Sequence, residues 1–233
     1  MSKNLEMTHK LFIHIPKNGG TTIRLSPILK NRIIDCGPKT HKSAEYTKAL
    51  KKKMDSLGDH HGNEHARWRD LSTKVTKAYN AFAIVRNPWD RVVSRYFFAK
   101  KVIEIEKKVA KDYADVSSFE AFLEERHKWG NEEFMWHRAI RGWFPAFDHV
   151  SDVDGRVRCD ILRFENYEED LKVYFNLSVM SRARNVTNLN KGSYTDVYTP
   201  QTIQIVADWY AKDIEQWGYD FGSGPTRNYW NSK

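Results

Sequence analysis

Short apolar runs recur along the chain and are separated by longer polar segments. Each run spans four or five residues, a length typical of a strand that is buried on both faces. The runs cover residues 11–15, 33–36, 81–85 and 160–164. Because segments of helical periodicity lie between them, the pattern predicts an α/β fold with a central, mainly parallel sheet flanked by helices.

The segments between these runs carry apolar residues at helical spacing. Helices are predicted over 23–29, 44–57, 65–79, 117–142 and 165–175, from Trp89 to beyond Lys100, and from Pro200 to Gly218. Residues 178–198 lack a period, and we predict a loop there. No internal repeat, low-complexity tract or Pro/Gly-rich linker interrupts the chain, so we expect a single domain over residues 1–233.

The composition is that of a globular protein with a basic surface. Of the 233 residues, 40% are apolar and 13% are aromatic, which supplies a core and excludes disorder as the main state. The net charge of +8 favours an anionic partner such as nucleic acid, an acidic polysaccharide, an acidic lipid or a phosphorylated cofactor. Charge alone fits equally well a surface that only aids solubility.

Cysteine usage and hydropathy predict a cytoplasmic protein with no membrane span. The two cysteines, Cys36 and Cys159, have no zinc-type spacing, and we expect both to be reduced and buried. No apolar run approaches the ~20 residues that a membrane helix needs. No apolar signal-peptide segment follows Met1, so a soluble chain is expected, with the soluble part of a longer, anchored protein as the alternative.

The turn after the first predicted strand has the composition of an anion-binding loop. It reads Pro16-Lys17-Asn18-Gly19-Gly20-Thr21-Thr22. Two glycines let backbone N–H groups approach an anion, the following helix adds further amides, and the lysine adds a full charge. The loop is not a Walker A loop, in which the lysine follows the last glycine. An ordinary turn with an exposed lysine is the alternative interpretation.

The third predicted strand ends in a second candidate anion site. It delivers Arg86 at its carboxyl end, the edge at which open α/β sheets bind ligands. Ser94 follows after a turn and about one and a half turns of helix, so both side chains can face one phosphate. The alternative is a structural ion pair between Arg86 and Asp90, with Ser94 merely solvated.

Taken together, the two motifs resemble those of sulfotransferases that use 3′-phosphoadenosine-5′-phosphosulfate (PAPS). Residues 12–22 are similar to the 5′-phosphosulfate loop of that family, and residues 82–94 are similar to its 3′-phosphate motif. The branch they resemble most is the carbohydrate group that includes the heparan sulfate 2-O- and 6-O-sulfotransferases. Residues 160–166 and 210–219 resemble the same branch, whereas residues 100–155 match it weakly.

The resemblance implies a P-loop-like three-layer fold and transfer of a sulfuryl group from PAPS to a hydroxyl, with adenosine 3′,5′-bisphosphate as product. It implies that Lys17 contacts the 5′-phosphosulfate and assists the leaving group. It also implies that Arg86 and Ser94 hold the 3′-phosphate, and the scheme requires no metal. The remaining implied cofactor contacts are Asn18, Gly19, Gly20, Thr21, Thr22, Lys191 and Ser193.

A histidine is the expected general base, because its unperturbed pKa of about 6.5 lies near working pH. His60, His61 and His65 cluster between the two motifs. His65 opens a segment that resembles the one carrying the catalytic histidine in the heparan sulfate 2-O-type enzymes. We therefore predict His65 as the base, with His61 second and Glu64 as a further candidate. The alternative is a group of surface histidines in a basic loop.

The predicted acceptor is a hydroxyl-bearing carbohydrate, either a glycan or a polysaccharide. Arg67, Arg69 and the lysines at 51–53 lie near the predicted base in sequence and would suit an acidic glycan, although for any single one a solvated helix face is the commoner explanation. Four aromatic residues of the middle region would either stack on sugar rings or belong to the core. They are Trp129, Trp136, Trp143 and Phe144.

Other functions compete with this one. A small alcohol, a phenol or a protein tyrosine is an alternative acceptor. A basic nucleic-acid-binding protein is the alternative from a different class, but the sequence lacks aromatic RNA-binding signatures, so we expect no nucleic-acid partner. A P-loop kinase is disfavoured, because no Gly-Lys-Ser/Thr sequence is present.

Overall fold

Four parallel strands form the centre of the computed structural model. They are β1 (Lys10–Ile13), β2 (Ile33–Asp35), β3 (Ala81–Val85) and β4 (Cys159–Arg163). The order across the sheet is β2-β1-β3-β4, and every neighbouring pair is parallel. The structure describes residues 9–56, 62–109, 113–132, 140–179 and 192–230. Each apolar run therefore forms a strand, and the predicted parallel sheet is confirmed.

Nine α-helices lie within these described ranges. They are α1 (Gly20–Arg24), α2 (Ala44–Ser56), α3 (Thr73–Ala78), α4 (Pro88–Lys100), α5 (Phe119–Trp129), α6 (Ala146–Val150), α7 (Tyr167–Phe175), α8 (Pro200–Trp209) and α9 (Ala211–Trp217). A π-helical segment, Lys101–Ile105, continues α4. In the part of the chain that is described, none of the helices has the length and apolarity needed to cross a membrane.

Helices pack on both faces of the sheet, which confirms the α/β three-layer arrangement. Alternate residues of a strand point to opposite faces. In β1, Leu11 belongs to one buried cluster and Phe12 to the other. The first cluster includes Val92 of α4, and the second includes Leu171 of α7. Burial on both faces explains why the strands are continuously apolar rather than alternating.

The prediction of one helix over 65–79 was wrong. The chain instead forms two 3₁₀ turns, Asn63–His65 and Trp68–Asp70, before α3. The Ser72 hydroxyl accepts a hydrogen bond from the amide of Val75, so it starts a new helix at this point. A backbone bridge between Leu71 and His41 holds the preceding residue in an extended conformation.

Other predicted helices have different ends. The helix predicted over 23–29 is α1, which starts earlier and ends at Arg24. The helix predicted over 117–142 is α5, which ends at Trp129, while residues 133–139 lie outside the described ranges. The last predicted helix is two helices, α8 and α9, which meet at Tyr210. Within the predicted loop, residues Tyr194–Val197 form a 3₁₀ helix.

Candidate active site

The turn after β1 is strained and leaves its backbone donors uncapped. Lys17 has a φ of 67° and Gly19 a φ of 79°, so both adopt the left-handed conformation that is unusual for a residue with a Cβ. Gly19 is the N-cap of α1, and no side chain in the described ranges caps that end. The amide of Thr22 donates to the carbonyl of Gly19 at 3.1 Å, whereas the amides of Gly20 and Thr21 have no acceptor in the described ranges and remain available to an anion.

The two glycines of this turn are required by close packing. A Cβ built on Gly20 would lie 2.0 Å from the His14 imidazole, and one on Gly19 would lie 2.6 Å from the Tyr167 ring. The Tyr167 hydroxyl also donates a hydrogen bond of 2.9 Å to the carbonyl of Gly19. The turn is therefore held between β1 and the start of α7.

The ammonium of Lys17 lies in a cationic, apolar environment. Its Nζ is 4.1 Å from the centroid of the Phe98 ring on α4. Burial, followed by the neighbouring cations Arg86, Arg95 and Lys101, lowers the pKa of Lys17 to about 7. A bound anion would relieve both effects by supplying the opposite charge.

The turn after β3 places Arg86 beside the turn after β1. Its guanidinium donates two hydrogen bonds to the Asp90 carboxylate, at 2.6 and 2.7 Å, and stacks 4.0 Å from the Phe164 ring centroid. Its Nη1 donates to the carbonyl of Lys17 at 2.8 Å. The ion pair given as an alternative for Arg86 is therefore present, and the same guanidinium also contacts the lysine loop.

Asn87 fixes the start of α4. Its Oδ1 accepts hydrogen bonds from the amides of Trp89 and Asp90, so it caps the helix. Its Nδ2 donates to the carbonyls of Asp220 and Ser223, at 3.0 and 2.7 Å. The end of the chain that follows α9 is thereby attached to this turn.

The two turns are connected by two more side-chain hydrogen bonds. The Asn18 Nδ2 donates to the carbonyl of Ile84 on β3 at 2.7 Å. The Arg91 Nε, on α4, donates to the carbonyl of Pro16 at 3.2 Å. The predicted phosphosulfate loop and the predicted 3′-phosphate motif thus form one hydrogen-bonded unit.

The remaining predicted cofactor contacts differ in their surroundings. Ser94 is only 6% exposed and lies four residues after Asp90, on the same face of α4. Thr22 is buried in α1, and Thr21 is half-buried there. Ser193 is exposed, and its hydroxyl caps the 3₁₀ helix Tyr194–Val197. Lys191 lies outside the described residues.

His65 lies beside the turn after β1. Its Nδ1 is 2.9 Å from the carbonyl oxygen of His14, and the two imidazole centroids are 4.4 Å apart. His14 in turn contacts Gly20, so two ring contacts connect His65 to the anion loop. Glu64 pairs with Arg24 at 3.6 Å and lies 3.9 Å from the Nε2 of His65. His60 and His61 are outside the described residues.

Most of the side chains that were predicted to contact the acceptor are paired with other groups of the protein or buried in the core. Arg67 pairs with Asp70, and Arg69 donates to the hydroxyl of Ser151. Trp143 is 1% exposed and belongs to the core. Lys51 pairs with Asp55 on the surface of α2. Trp136 lies outside the described residues.

Sequence reasoning missed three residues around Lys17. Phe98 contacts its ammonium, Arg95 acts on its pKa, and Arg91 contacts the carbonyl that precedes it. The sequence contained a signal for the two arginines, because Arg91 and Arg95 are four residues apart on the apolar helix face that Val92 and Tyr96 also occupy. Charged residues on such a face need a specific buried partner. The described ranges contain no cluster of His, Cys, Asp or Glu that could hold a metal ion.

Comparison with known proteins yields one family match. The model of a family described as the sulfotransferase family matches residues 6–220. The crystal structure of a sulfotransferase from Alicyclobacillus acidocaldarius is 17% identical, with a TM-score of 0.36, over 88% of this chain and 83% of that chain. No curated protein matches the chain.

Proposed function

Because the chain belongs to the sulfotransferase family, we propose that it moves a sulfuryl group from PAPS to a hydroxyl of a carbohydrate by in-line displacement. The acceptor oxygen forms a bond to sulfur while the bond between sulfur and the bridging phosphate oxygen breaks. Adenosine 3′,5′-bisphosphate leaves with the electron pair of that bond, and the acceptor proton passes to a base. Negative charge therefore grows on the bridging oxygen, where stabilisation is most effective.

The environment of Lys17 is the observation that carries this proposal. Lys17 is half-buried, and an ammonium in such a place whose neighbours include three cations is costly without an anion, so its pKa falls to about 7. The uncapped amides of α1 lie in the same turn. An anionic phosphosulfate would accept hydrogen bonds from those amides and restore the charge on Lys17. This lysine is thus suited to the bridging oxygen, where charge develops.

Arg86 and Ser94 are proposed to hold the 3′-phosphate. A guanidinium has five N–H donors. Asp90 and the carbonyl of Lys17 take three of them, and the remaining two suit a phosphate. Ser94 lies one helical turn beyond Asp90, so its hydroxyl is on the side of α4 that faces Arg86.

His65 is proposed as the general base. A carbonyl oxygen only accepts hydrogen bonds, so the contact with the carbonyl of His14 puts the proton of a neutral His65 on Nδ1. Nε2 is then the unprotonated nitrogen, which is the form that a general base requires. The ring of His14 lies between this imidazole, 4.4 Å away, and Gly20 of the loop.

Thermal stability in the presence of nucleotides tests the donor site. We expect adenosine 3′,5′-bisphosphate at 100 times its dissociation constant to stabilise the wild type by about 2.7 kcal/mol, and ATP to stabilise it less. The shift should disappear in Arg86→Ala. An equal shift with ATP, or no shift, would remove the 3′-phosphate assignment. Retention of any polyanion without nucleotide preference would instead support the nucleic-acid-binding alternative.

Sulfuryl transfer by a His65→Ala variant tests the base. The rate should fall by about 10²- to 10⁴-fold, because general base catalysis contributes that much. The affinity for adenosine 3′,5′-bisphosphate should not change. The exposed His127 supplies the control variant, His127→Ala, which should be unaffected. Full activity of His65→Ala would exclude this histidine, and His61→Ala would then be measured.

An acceptor panel separates the carbohydrate proposal from its alternatives. The donor is PAPS labelled in the sulfuryl group, and the acceptors are a neutral oligosaccharide, an acidic oligosaccharide, a phenol, a simple alcohol and a tyrosine peptide. Transfer to an oligosaccharide supports the proposed acceptor class. Transfer confined to the phenol, the alcohol or the peptide would replace the acceptor class while leaving the donor site intact.

A further inference from the structure

Two arginines, Arg86 after β3 and Arg91 on α4, hold consecutive carbonyl groups of the turn after β1. The Arg86 Nη1 donates to the carbonyl of Lys17 at 2.8 Å, and the Arg91 Nε donates to the carbonyl of Pro16 at 3.2 Å. Arg86 also has a carboxylate partner, Asp90. Arg91 differs, because its hydrogen bonds within the described ranges go to backbone carbonyls.

The burial of Arg91 is costly and calls for a specific reason. The residue is 1% exposed, and its Nη1 donates to the carbonyl of Phe144 at 3.0 Å. Its Nη2 has no hydrogen-bond partner in the described part of the chain. The nearby Asp213 accepts hydrogen bonds from the amides of Ala146 and Phe147 instead. A buried guanidinium whose N–H groups donate to backbone carbonyls is suited to orienting those carbonyls.

The carbonyl that Arg91 contacts lies immediately before the strained residue of the loop. Lys17 has a φ of 67°, and a side chain in this conformation persists only where its surroundings impose it. Arg91 fixes the peptide on one side of Lys17, and Arg86 fixes the peptide on the other. Asn18 adds a third attachment to β3.

We propose that Arg91 is a positioning residue for sulfuryl transfer: it holds the Pro16 carbonyl, so that Lys17 keeps the left-handed backbone that directs its ammonium to the bridging oxygen. The part that concerns catalysis rests on the proposed function. The part that concerns the loop backbone does not, because it follows from contacts within this chain.

Hydrogen exchange of the amides of Asn18 and Thr22, which donate to the carbonyls of Ile15 and Gly19, measured without ligand, tests the backbone part. Arg91→Lys should raise their exchange rates by about tenfold, because the shorter ammonium cannot reach both carbonyls. The matched control is Arg32→Lys. Arg32 also donates to a backbone carbonyl, that of Phe175 at 2.7 Å, but it precedes β2 at the opposite end of the sheet.

A double-mutant cycle tests whether Arg91 acts through Lys17. Arg91→Lys should weaken binding of adenosine 3′,5′-bisphosphate by about tenfold in the wild type and by less than about twofold in Lys17→Met. A merely structural role predicts equal losses in both backgrounds. Equal losses, unchanged exchange in Arg91→Lys, or equal loosening in Arg32→Lys would overturn the proposal.

Two further outcomes are decisive. If Arg91→Lys does not fold, Arg91→Met replaces it, since its unbranched side chain fills similar space without a buried charge and cannot donate to the Pro16 carbonyl. Failure of both variants to fold would overturn the proposal, because Arg91 would then serve the whole fold. If the wild type binds no bisphosphate but Arg91→Lys loosens the loop, the proposed function fails while the backbone part of the inference stands.

Discussion

The turns after β1 and β3 both lead from a parallel strand into a helix, but they satisfy their backbone groups differently. The first enters a five-residue helix through a left-handed glycine and has no side-chain cap in the described ranges. The second enters a 13-residue helix through Asn87, which caps two amides, with Pro88 at the first position. The turn after β1 therefore keeps backbone donors available, whereas the turn after β3 pairs its first helical amides with the side chain of Asn87.

This difference indicates that the two turns have different structural roles. Donors that await a ligand carry a cost, so they need rigid support from groups that are already satisfied. The second turn supplies that support, because Arg86 and Arg91 contact the carbonyls of Lys17 and Pro16. The turn after β1 and the residues that hold its carbonyls are therefore separate in sequence but adjacent in space.

Removing the charge of the first turn should have the largest effect. Lys17→Met should slow PAPS turnover, measured as release of the bisphosphate, by about 10²- to 10³-fold, the usual cost of losing one donor to developing charge. The exposed Lys30, shortly after α1, provides the control variant Lys30→Met. If Lys30→Met slowed turnover equally, the effect would reflect overall charge rather than the loop.

Adding one methyl group to the first turn should disrupt its packing. Gly20→Ala places a Cβ at 2.0 Å from the His14 ring, and we expect a loss of about 2–3 kcal/mol in the free energy of unfolding in urea. A Cβ on Gly37 meets nothing within 4 Å, so Gly37→Ala should stay within about 0.5 kcal/mol of the wild type. Similar losses in both variants would contradict the close contact.

Neutralising the carboxylate of the second turn should cost less. Asp90→Asn removes a charged partner of Arg86, and we expect the free energy of unfolding to fall by about 2 kcal/mol. The Arg24–Asp35 pair is longer, at 3.4 Å, and more exposed. Asp35→Asn should therefore cost less than about 1 kcal/mol in the same urea titration. A larger loss in Asp35→Asn would invert the comparison.

The smallest effect should be a dependence of nucleotide affinity on pH. Burial, Arg86 and other cations hold the pKa of Lys17 at about 7, so the free protein loses this proton above neutrality. An anion binds best to the charged lysine, so affinity for the bisphosphate should fall about tenfold between pH 7 and pH 8.5. Calorimetry on Lys17→Arg should show a flatter profile, because arginine stays charged.

The same shift predicts how pH alters stability without ligand. The unfolded chain keeps the Lys17 proton up to its ordinary pKa of about 10.4. Between about pH 7 and that value the unfolded state binds more protons, so this lysine's contribution to stability rises with pH. The cost of the charged lysine is complete below pH 7. A Lys17 contribution that declined over this range would contradict the assigned direction.

Local pattern predicted the strands and both turns, because these depend on neighbouring residues. The four apolar runs and the Lys17 loop were visible as short segments. The helix predicted over 65–79 was wrong, because a bridge to His41, distant in sequence, holds Leu71 extended. The position of Arg91 on the apolar face of α4 was visible in the sequence, but its partner was not, since Pro16 is 75 residues away. Sequence spacing does not report contacts of that kind.

The attachment of Asn87 to the far end of the chain has a consequence for synthesis on the ribosome. Asn87 lies 133 residues before Asp220, whose carbonyl its side chain contacts. The nascent chain therefore cannot complete the second turn until residues 220 and 223 have left the exit tunnel. Contacts of such high sequence separation form late and slow folding. A ribosome stalled before residue 220 would thus hold a chain with its four strands available but the turn after β3 incomplete.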